Sequence, residues 1–127
     1  MESNTIKSNL IHIQQRIHNA CEEVGRNPDE VKLLLATKTV SAEKIKIAID
    51  EGYFLLGENK VMEGKAKYEL LKSANCHWHI IGHVQTNKVK HILKYADVVQ
   101  SIDRLKLVRK LQNRCEYDDR DIDIFIQ

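Results

Sequence analysis

The chain has 127 residues and a mass of 14.7 kDa, room for one core but not for two domains or for all eight strands of a (β/α)8 barrel. Apolar residues make up 43% and charged residues 30%, with five Gly and one Pro, which excludes collagen-like, low-complexity and wholly disordered classes. The net charge of +2 gives no general case for nucleic acid but is unevenly placed: residues 84–115 hold eight Lys/Arg against Asp97 and Asp103, and residues 116–123 hold five acids against Arg120.

In chain order, Ile6, Leu10, Ile13, Ile17, Cys21 and Val24 recur at steps of three and four and predict an amphipathic helix. Gly25 and Pro28 end it. Val31 to Thr37 is a short apolar run of strand length. Ser41 caps a helix through Asp50 that buries Ile45, Ala48 and Ile49 and stops at Gly52. Tyr53 to Leu56 reads as a second strand. From Glu58 to Lys72, Val61, Met62, Ala66, Tyr68 and Leu71 follow a helical pattern that Gly64 weakens. His77 to Ile81 predicts a third strand, Thr86 to Tyr95 a basic helix burying Val89, Ile92 and Leu93, and Asp97 to Gln100 a fourth strand. Leu105, Val108, Leu111 and Cys115 mark a helix over 103–115, and the alternation of Ile122, Ile124 and Ile126 marks a fifth strand.

A leading helix followed by strictly alternating strands and helices is α/β, with parallel pairing and right-handed crossovers. Two architectures suit that order, an open doubly wound sheet or the first part of a (β/α)8 barrel. The last residue, Gln127, follows directly on a strand with no helix to cover it, which favours an incomplete barrel forming a single domain over 1–127. Such a domain leaves two strand edges and an apolar face uncovered, so either self-association or the missing half must cover them if the chain is not to aggregate. No run approaches the roughly 20 apolar residues that span a bilayer, and the N-terminus lacks a basic region followed by an apolar core. Cys21, Cys76 and Cys115 are an odd, unpaired set suited to reduced thiols. A cytoplasmic location follows as the expectation.

In parallel α/β folds chemistry gathers at the carboxyl ends of the strands. Lys38 follows the first strand, Glu58 and Asn59 the second, His83 the third and Ser101 the fourth, with Gly57 and Gly82 allowing close backbone approach. The neighbours of Lys38 are apolar or short, and desolvation there would free its amine as a nucleophile able to form a Schiff base. The alternative is that Lys38 extends from a strand end into water. His77, His79 and His83 invite a metal reading, but no second Asp/His cluster lies on the predicted rim, and His79 reads better as a buried hydrogen-bonding residue.

Leu33 to Thr39, Gly57-Glu58-Asn59, Trp78 to Lys88 and Gln100 to Asp103, in that order, resemble the YggS/PROSC family of pyridoxal phosphate homeostasis proteins, over nearly the whole chain. The resemblance implies a barrel like the N-terminal domain of bacterial alanine racemase, with pyridoxal 5'-phosphate (PLP) carried as an internal aldimine. Lys38 falls on the lysine that carries the cofactor in that family. Asn59, His83 and Ser101 are assigned to the cofactor by the rim argument. Family members are longer, and the part not present here supplies later strands, the loops that hold the phosphate and an arginine near the pyridine nitrogen. The implied role is to bind PLP and hand it to PLP-dependent apo-enzymes. Turnover is not implied, since a racemase of this fold needs a second acid/base group, usually a tyrosine from another domain, and neither Tyr53 nor Tyr117 sits at a predicted strand end.

Three rival readings stand beside this one. The chain could be a cofactor-free remnant of the family. It could bind nucleic acid through Lys88, Lys90, Lys94, Arg104, Lys106, Arg109, Lys110 and Arg114, although that stretch lacks interleaved aromatics and reads better as solvated helix faces. Or it could be a flavodoxin-like domain, although Thr37 to Ser41 contains no Gly for a phosphate loop.

Overall fold

The computed structural model describes residues 2–127. It contains α1 (Glu2–Glu23), β1 (Leu35–Ala36), α2 (Ala42–Asp50), β2 (Leu55–Glu58), α3 (Val61–Leu71), β3 (His77–Ile80), α4 (Val89–Ile92), β4 (Val98–Ile102), α5 (Leu105–Asp118) and β5 (Asp123–Ile126), with short 3-10 turns at Pro28–Glu30, Lys72–Ala74 and Thr86–Lys88. The strands form one parallel sheet in the order β1-β2-β3-β4-β5. A doubly wound or flavodoxin-like sheet needs a point where the strand order reverses. This sheet has none, and that alternative is excluded. Successive helices touch, α1 on α2, α2 on α3, α3 on α4 and α4 on α5, so they line up along one face of the sheet.

Strand alternation sets what each face carries. The register pairs Leu35 with Leu56 and Leu56 with Trp78, and Ile80 with Val99. Leu56, Trp78, Ile80 and Val99 are buried and join Ile45, Ile49, Ile92, Leu107 and Leu111 in the core beneath the helices. The other face carries Ala36, Gly57, His79 and Val98 in one row. The edge strands have one neighbour each, β2 for β1 and β4 for β5, and β5 leaves Phe125 and Ile126 exposed.

Several elements depart from the sequence reading for local reasons. β1 is only two residues long rather than Val31 to Thr37, its ladder with β2 being confined to Leu35 and Ala36. α1 stops at Glu23, Gly25 takes a left-handed φ of 70°, and Val24 is 76% exposed instead of belonging to the apolar face. α5 begins at Leu105, whose side chain is 70% exposed, and buries Leu107 and Leu111. α2 matches its expectation: Ser41 Oγ accepts from the Lys44 amide at 3.3 Å, and Ile45, Ala48 and Ile49 are buried. Arg120, the lone base among the acids of 116–123, donates to the carbonyls of Leu93 and Ala96 and ties the segment before β5 to the end of α4.

The face of α3 differs most. It buries Val61, Gly64, Lys67 and Leu71, while Met62 and Ala66 are exposed. Gly64 is there because Tyr95 comes in against it: a Cβ at 64 would stand 2.5 Å from Tyr95 Oη and 3.2 Å from Glu58 Cβ. Tyr95 Oη donates to the Val61 carbonyl at 2.8 Å, and its ring meets Trp78 edge-on with centroids 6.0 Å apart. The glycine that weakens the helix by propensity is therefore what lets α3 seat against Tyr95. Gly64→Ala is expected to destabilise the fold by about 1–2 kcal/mol, overpacking outweighing the gain in helix propensity, and by less in a Tyr95→Phe background. Urea unfolding midpoints of the three variants check this.

Candidate functional site

The carboxyl end of β1 is fastened first to β2. The Thr37 amide donates to the Gly57 carbonyl at 2.8 Å, and Thr37 Oγ1 donates to the same oxygen at 3.2 Å. The chain then turns, the Val40 amide donating to the Thr37 carbonyl at 3.1 Å. Lys38 and Thr39 are the two central residues of that turn. Thr39 has a φ of 62°, a left-handed conformation that glycine or asparagine adopts readily and a β-branched residue does not. Such a conformation costs on the order of 1–3 kcal/mol and persists only where its surroundings impose it.

Thr39 Oγ1 donates to the Lys38 carbonyl at 2.6 Å, and helix α3 braces the turn from outside. Glu63 Oε1 accepts from the Thr39 amide at 2.8 Å, and Lys67 Nζ donates to the Thr37 carbonyl at 2.6 Å. The peptide groups on either side of Lys38 are thus held by two side chains one helical turn apart. Lys67 Nζ also lies 2.5 Å from Glu58 Oε1 and 3.0 Å from Glu63 Oε1, with its side chain 9% exposed and that of Glu58 0%. Glu58 therefore does not face the rim with Asn59, as expected, but shares the helix side of β2 with Leu56, because residues two apart on a strand point the same way. Burial pushes the Glu58 carboxyl up from its ordinary value, with Lys67 pulling against it. The Thr39 amide and then Lys67 hold the Glu63 carboxyl below the usual range.

The remaining strand ends meet through Gly82. The Ile81 amide donates to the Glu58 carbonyl at 3.0 Å, and a Cβ at 82 would stand 3.0 Å from Cα, Cβ and O of Asn59, so glycine lets β3 leave the sheet this close to Asn59 without pushing its backbone aside. Ser101 Oγ donates to the Gly82 carbonyl at 2.6 Å. Ser101 is not past the end of β4, as expected, but inside it, since the strand runs to Ile102 with a shift in register against β5. It is buried and its hydroxyl proton is already engaged. Asn59, Gly82 and Ser101 thus form one contiguous set beside the β1 turn. His83 stands outside it, exposed, with Nδ1 3.8 Å from Asp103 Oδ2. Lys38 is exposed, so the desolvation expected from its apolar sequence neighbours is absent.

On the sheet face away from the helices, Gln100 Nε2 lies 2.8 Å from His79 Nδ1. Burial keeps His79 below its ordinary value, so the neutral ring accepts from the amide. His77 sits at the opposite end of β3 from His83, near Asp97, and among the described residues no three His, Cys, Asp or Glu side chains group as metal ligands. The basic stretch is distributed over α4, α5 and their loops: Arg104 donates to the Val84 carbonyl, Arg114 pairs with Asp118 at 3.0 Å, and a groove of about 400 Å³ is lined by Lys90, Lys110, Arg114 and Tyr117 among others. Among the described residues no helix is long and apolar enough to cross a membrane.

No family model matches the chain. It is 39% identical over 118 residues to the pyridoxal phosphate homeostasis protein of Aquifex aeolicus, covering 93% of this chain and 52% of that protein. The pyridoxal phosphate homeostasis protein of Escherichia coli K12 is 34% identical over 127 residues, 98% of this chain and 54% of that one. The chain belongs to the YggS/PROSC family of pyridoxal phosphate homeostasis proteins. It spans about half the length of the curated relatives it matches. Among solved structures, that of an unknown protein from Bifidobacterium adolescentis superposes with a TM-score of 0.90 at 30% identity, over 97% of this chain and 54% of that one. PipY, a COG0325 family member of Synechococcus elongatus solved with PLP bound, gives 0.72 at 25% identity over 85% of this chain and 51% of that one.

For this family member, sequence reasoning passed over Thr39, Glu63, Lys67 and Gln100. Glu63 and Lys67 at a spacing of four, acid first, are a recognisable helix pair, but nothing in periodicity says that a lysine is buried. Removing one partner of a buried ion pair costs about 3–5 kcal/mol, and Lys67→Met is expected to lose that much at about pH 8. A carboxyl whose folded value is raised takes up a proton more readily when folded, so its stability contribution falls as pH rises through that value. Without Lys67, Glu58 takes up that proton more readily still, and Glu63 gives up less as it protonates, so the loss is expected to be smaller at about pH 5. Urea unfolding at the two pH values checks this; a loss independent of pH would contradict it.

Proposed function

We propose that this chain is the lysine-bearing part of a PLP-binding (β/α)8 barrel of the alanine racemase N-terminal type, a single domain over 1–127, and that Lys38 holds the cofactor as a Schiff base. The observation that carries the reading is an exposed primary amine at a strand end, on a turn whose two flanking peptide groups are both held by α3. The sequential parallel sheet supports the barrel, whose strands follow one another in order. The names of the homologues and the PLP in PipY support the cofactor.

The residues present fit the amine-reactive end of that group. The Lys38 amine makes no hydrogen bond or ion pair among the described residues, so it is free to react. PLP supplies an aldehyde that condenses with a free amine and releases water. Lys38 supplies the amine and gives up its proton to solvent beforehand. Asn59 follows β2 against Gly82, Ser101 fixes the Gly82 peptide through its hydroxyl, and His83 stands exposed near Asp103. Barrel proteins hold a cofactor phosphate on backbone N–H groups after their last strands, which belong to the half of the relatives outside this chain's span. In this reading the whole protein binds PLP in the cytoplasm and passes it to PLP-dependent apo-enzymes. The open edges at β1 and β5 would be covered by the remaining strands or by another copy.

Binding rather than turnover is the role proposed. Tyr53 precedes β2 and lies at the opposite end of the sheet from Lys38, and Tyr117 is exposed near the end of α5, so neither supplies a second acid/base group. Borohydride reduction of the chain mixed with PLP, followed by peptide mapping, is expected to give one adduct at Lys38. Lys38→Ala should abolish it. Ser101→Ala, which removes one hydrogen bond of about 1 kcal/mol, should slow it roughly five-fold, and Asn59→Ala and His83→Ala should weaken it without abolishing it. Adducts scattered over surface lysines, or equal loss in all four variants, would overturn the assignment.

A further inference from the structure

We propose that Glu63 and Lys67 of α3 are positioning residues for Lys38, setting the direction of its amine by fixing the peptide groups before and after it. The inference rests on the reading of Lys38 as the PLP-bearing lysine and adds what aims it.

The geometry is one-sided and redundant. The carbonyl preceding Lys38 is bound by Lys67 Nζ at 2.6 Å, and the amide following it is bound by Glu63 Oε1 at 2.8 Å. The two side chains bind each other at 3.0 Å, so neither can swing away without breaking the other's contact. Because Lys67 also pairs with Glu58 at the end of β2, the same ammonium sets the turn after β1 against the segment carrying Asn59. Thr39 shows what the contact achieves. A threonine at a φ of 62° relaxes toward negative φ when nothing opposes it, and that rotation at the residue after Lys38 would carry the lysine away from the rim. Glu63 accepts the Thr39 amide at 2.8 Å and so holds the Lys38–Thr39 peptide plane in the turn, a contact that offsets the cost of the left-handed residue after it. Neither residue touches the reacting atoms. Their effect is on where the amine stands, and misplacement of a reacting group by an ångström is enough to slow a reaction about a hundred-fold.

The test compares the rate of the borohydride-trapped PLP adduct at Lys38 in the unmodified chain, Glu63→Ala, Glu63→Gln and the double variant Glu63→Ala/Thr39→Gly, with hydrogen exchange at the residue-39 amide as a ligand-free readout. Glu63→Ala is expected to slow adduct formation about ten-fold or more and to release the Thr39 amide. Glu63→Gln keeps an oxygen acceptor for that amide and should recover most of the rate. Thr39→Gly removes the penalty for positive φ and should return the double variant to within about three-fold of the unmodified chain, which a general weakening of α3 could not do. Failure of glycine to rescue, or an unchanged rate in Glu63→Ala, would overturn the inference. No Lys38 adduct in the unmodified chain would overturn the PLP reading instead. In that case the exchange data decide on α3: a Thr39 amide no faster in Glu63→Ala would dismiss it.

Discussion

Lys67 places an ammonium group where water hardly reaches, and much of the lower sheet follows from keeping that charge satisfied. An unpaired charge at such depth costs several kcal/mol. Here it is surrounded by the Thr37 carbonyl and the carboxylates of Glu58 and Glu63. To bring the lysine over β2, α3 must turn Val61, Gly64, Lys67 and Leu71 inward. That rotation places Gly64 under Tyr95, and Tyr95 in turn carries the contacts to Val61 and Trp78. One buried charge thus fixes both the seat of α3 in the core and the end of β1 at the rim.

The rim inherits its order from this arrangement. A two-residue edge strand is a weak platform for a reactive residue, since β1 has few ladder bonds of its own. The turn beyond it is made rigid by α3 instead, which is a more precise support than a free loop. The other strand ends are joined by backbone approach at Gly82 and by the Ser101 hydroxyl. Those contacts form a continuous surface from Asn59 to Ser101 with Lys38 beside it. The chain spans about half of its curated relatives, and in the proposed function that half supplies the amine while the remainder supplies the phosphate site.

Much of this was legible in the sequence, and the exceptions share a physical cause. Alternating apolar runs and helical spacings located all five strands and five helices, because burial on one face repeats at the period of each element. Lys38 was found at the end of β1 because strand ends in parallel sheets are predictable from where apolar runs stop. The face of α3 was misread because two of its buried positions, Gly64 and Lys67, are residues that a hydrophobic pattern counts as outward. Glu58 was placed on the rim for the same reason, since a buried carboxylate is invisible until its partner is known. Val24 and Leu105 were read as buried where the helix ends leave them in solvent. Ser101 looked like a strand end because polar residues usually mark one, whereas β4 continues past it. The left-handed Thr39 carries no sequence signal, and the carboxylate that its amide binds, Glu63, lies twenty-four residues away.

Glu58 and Glu63 share one lysine while standing in opposite environments, one buried and the other anchored to a backbone amide. Carbon-detected NMR titration of the two side-chain carboxyls in a single sample measures this most directly. The two are expected to separate, Glu58 losing its proton above the ordinary carboxylate range and Glu63 below it. Two carboxyls titrating together at the ordinary value would mean that Lys67 does not join them and that the turn bearing Lys38 is not held from α3.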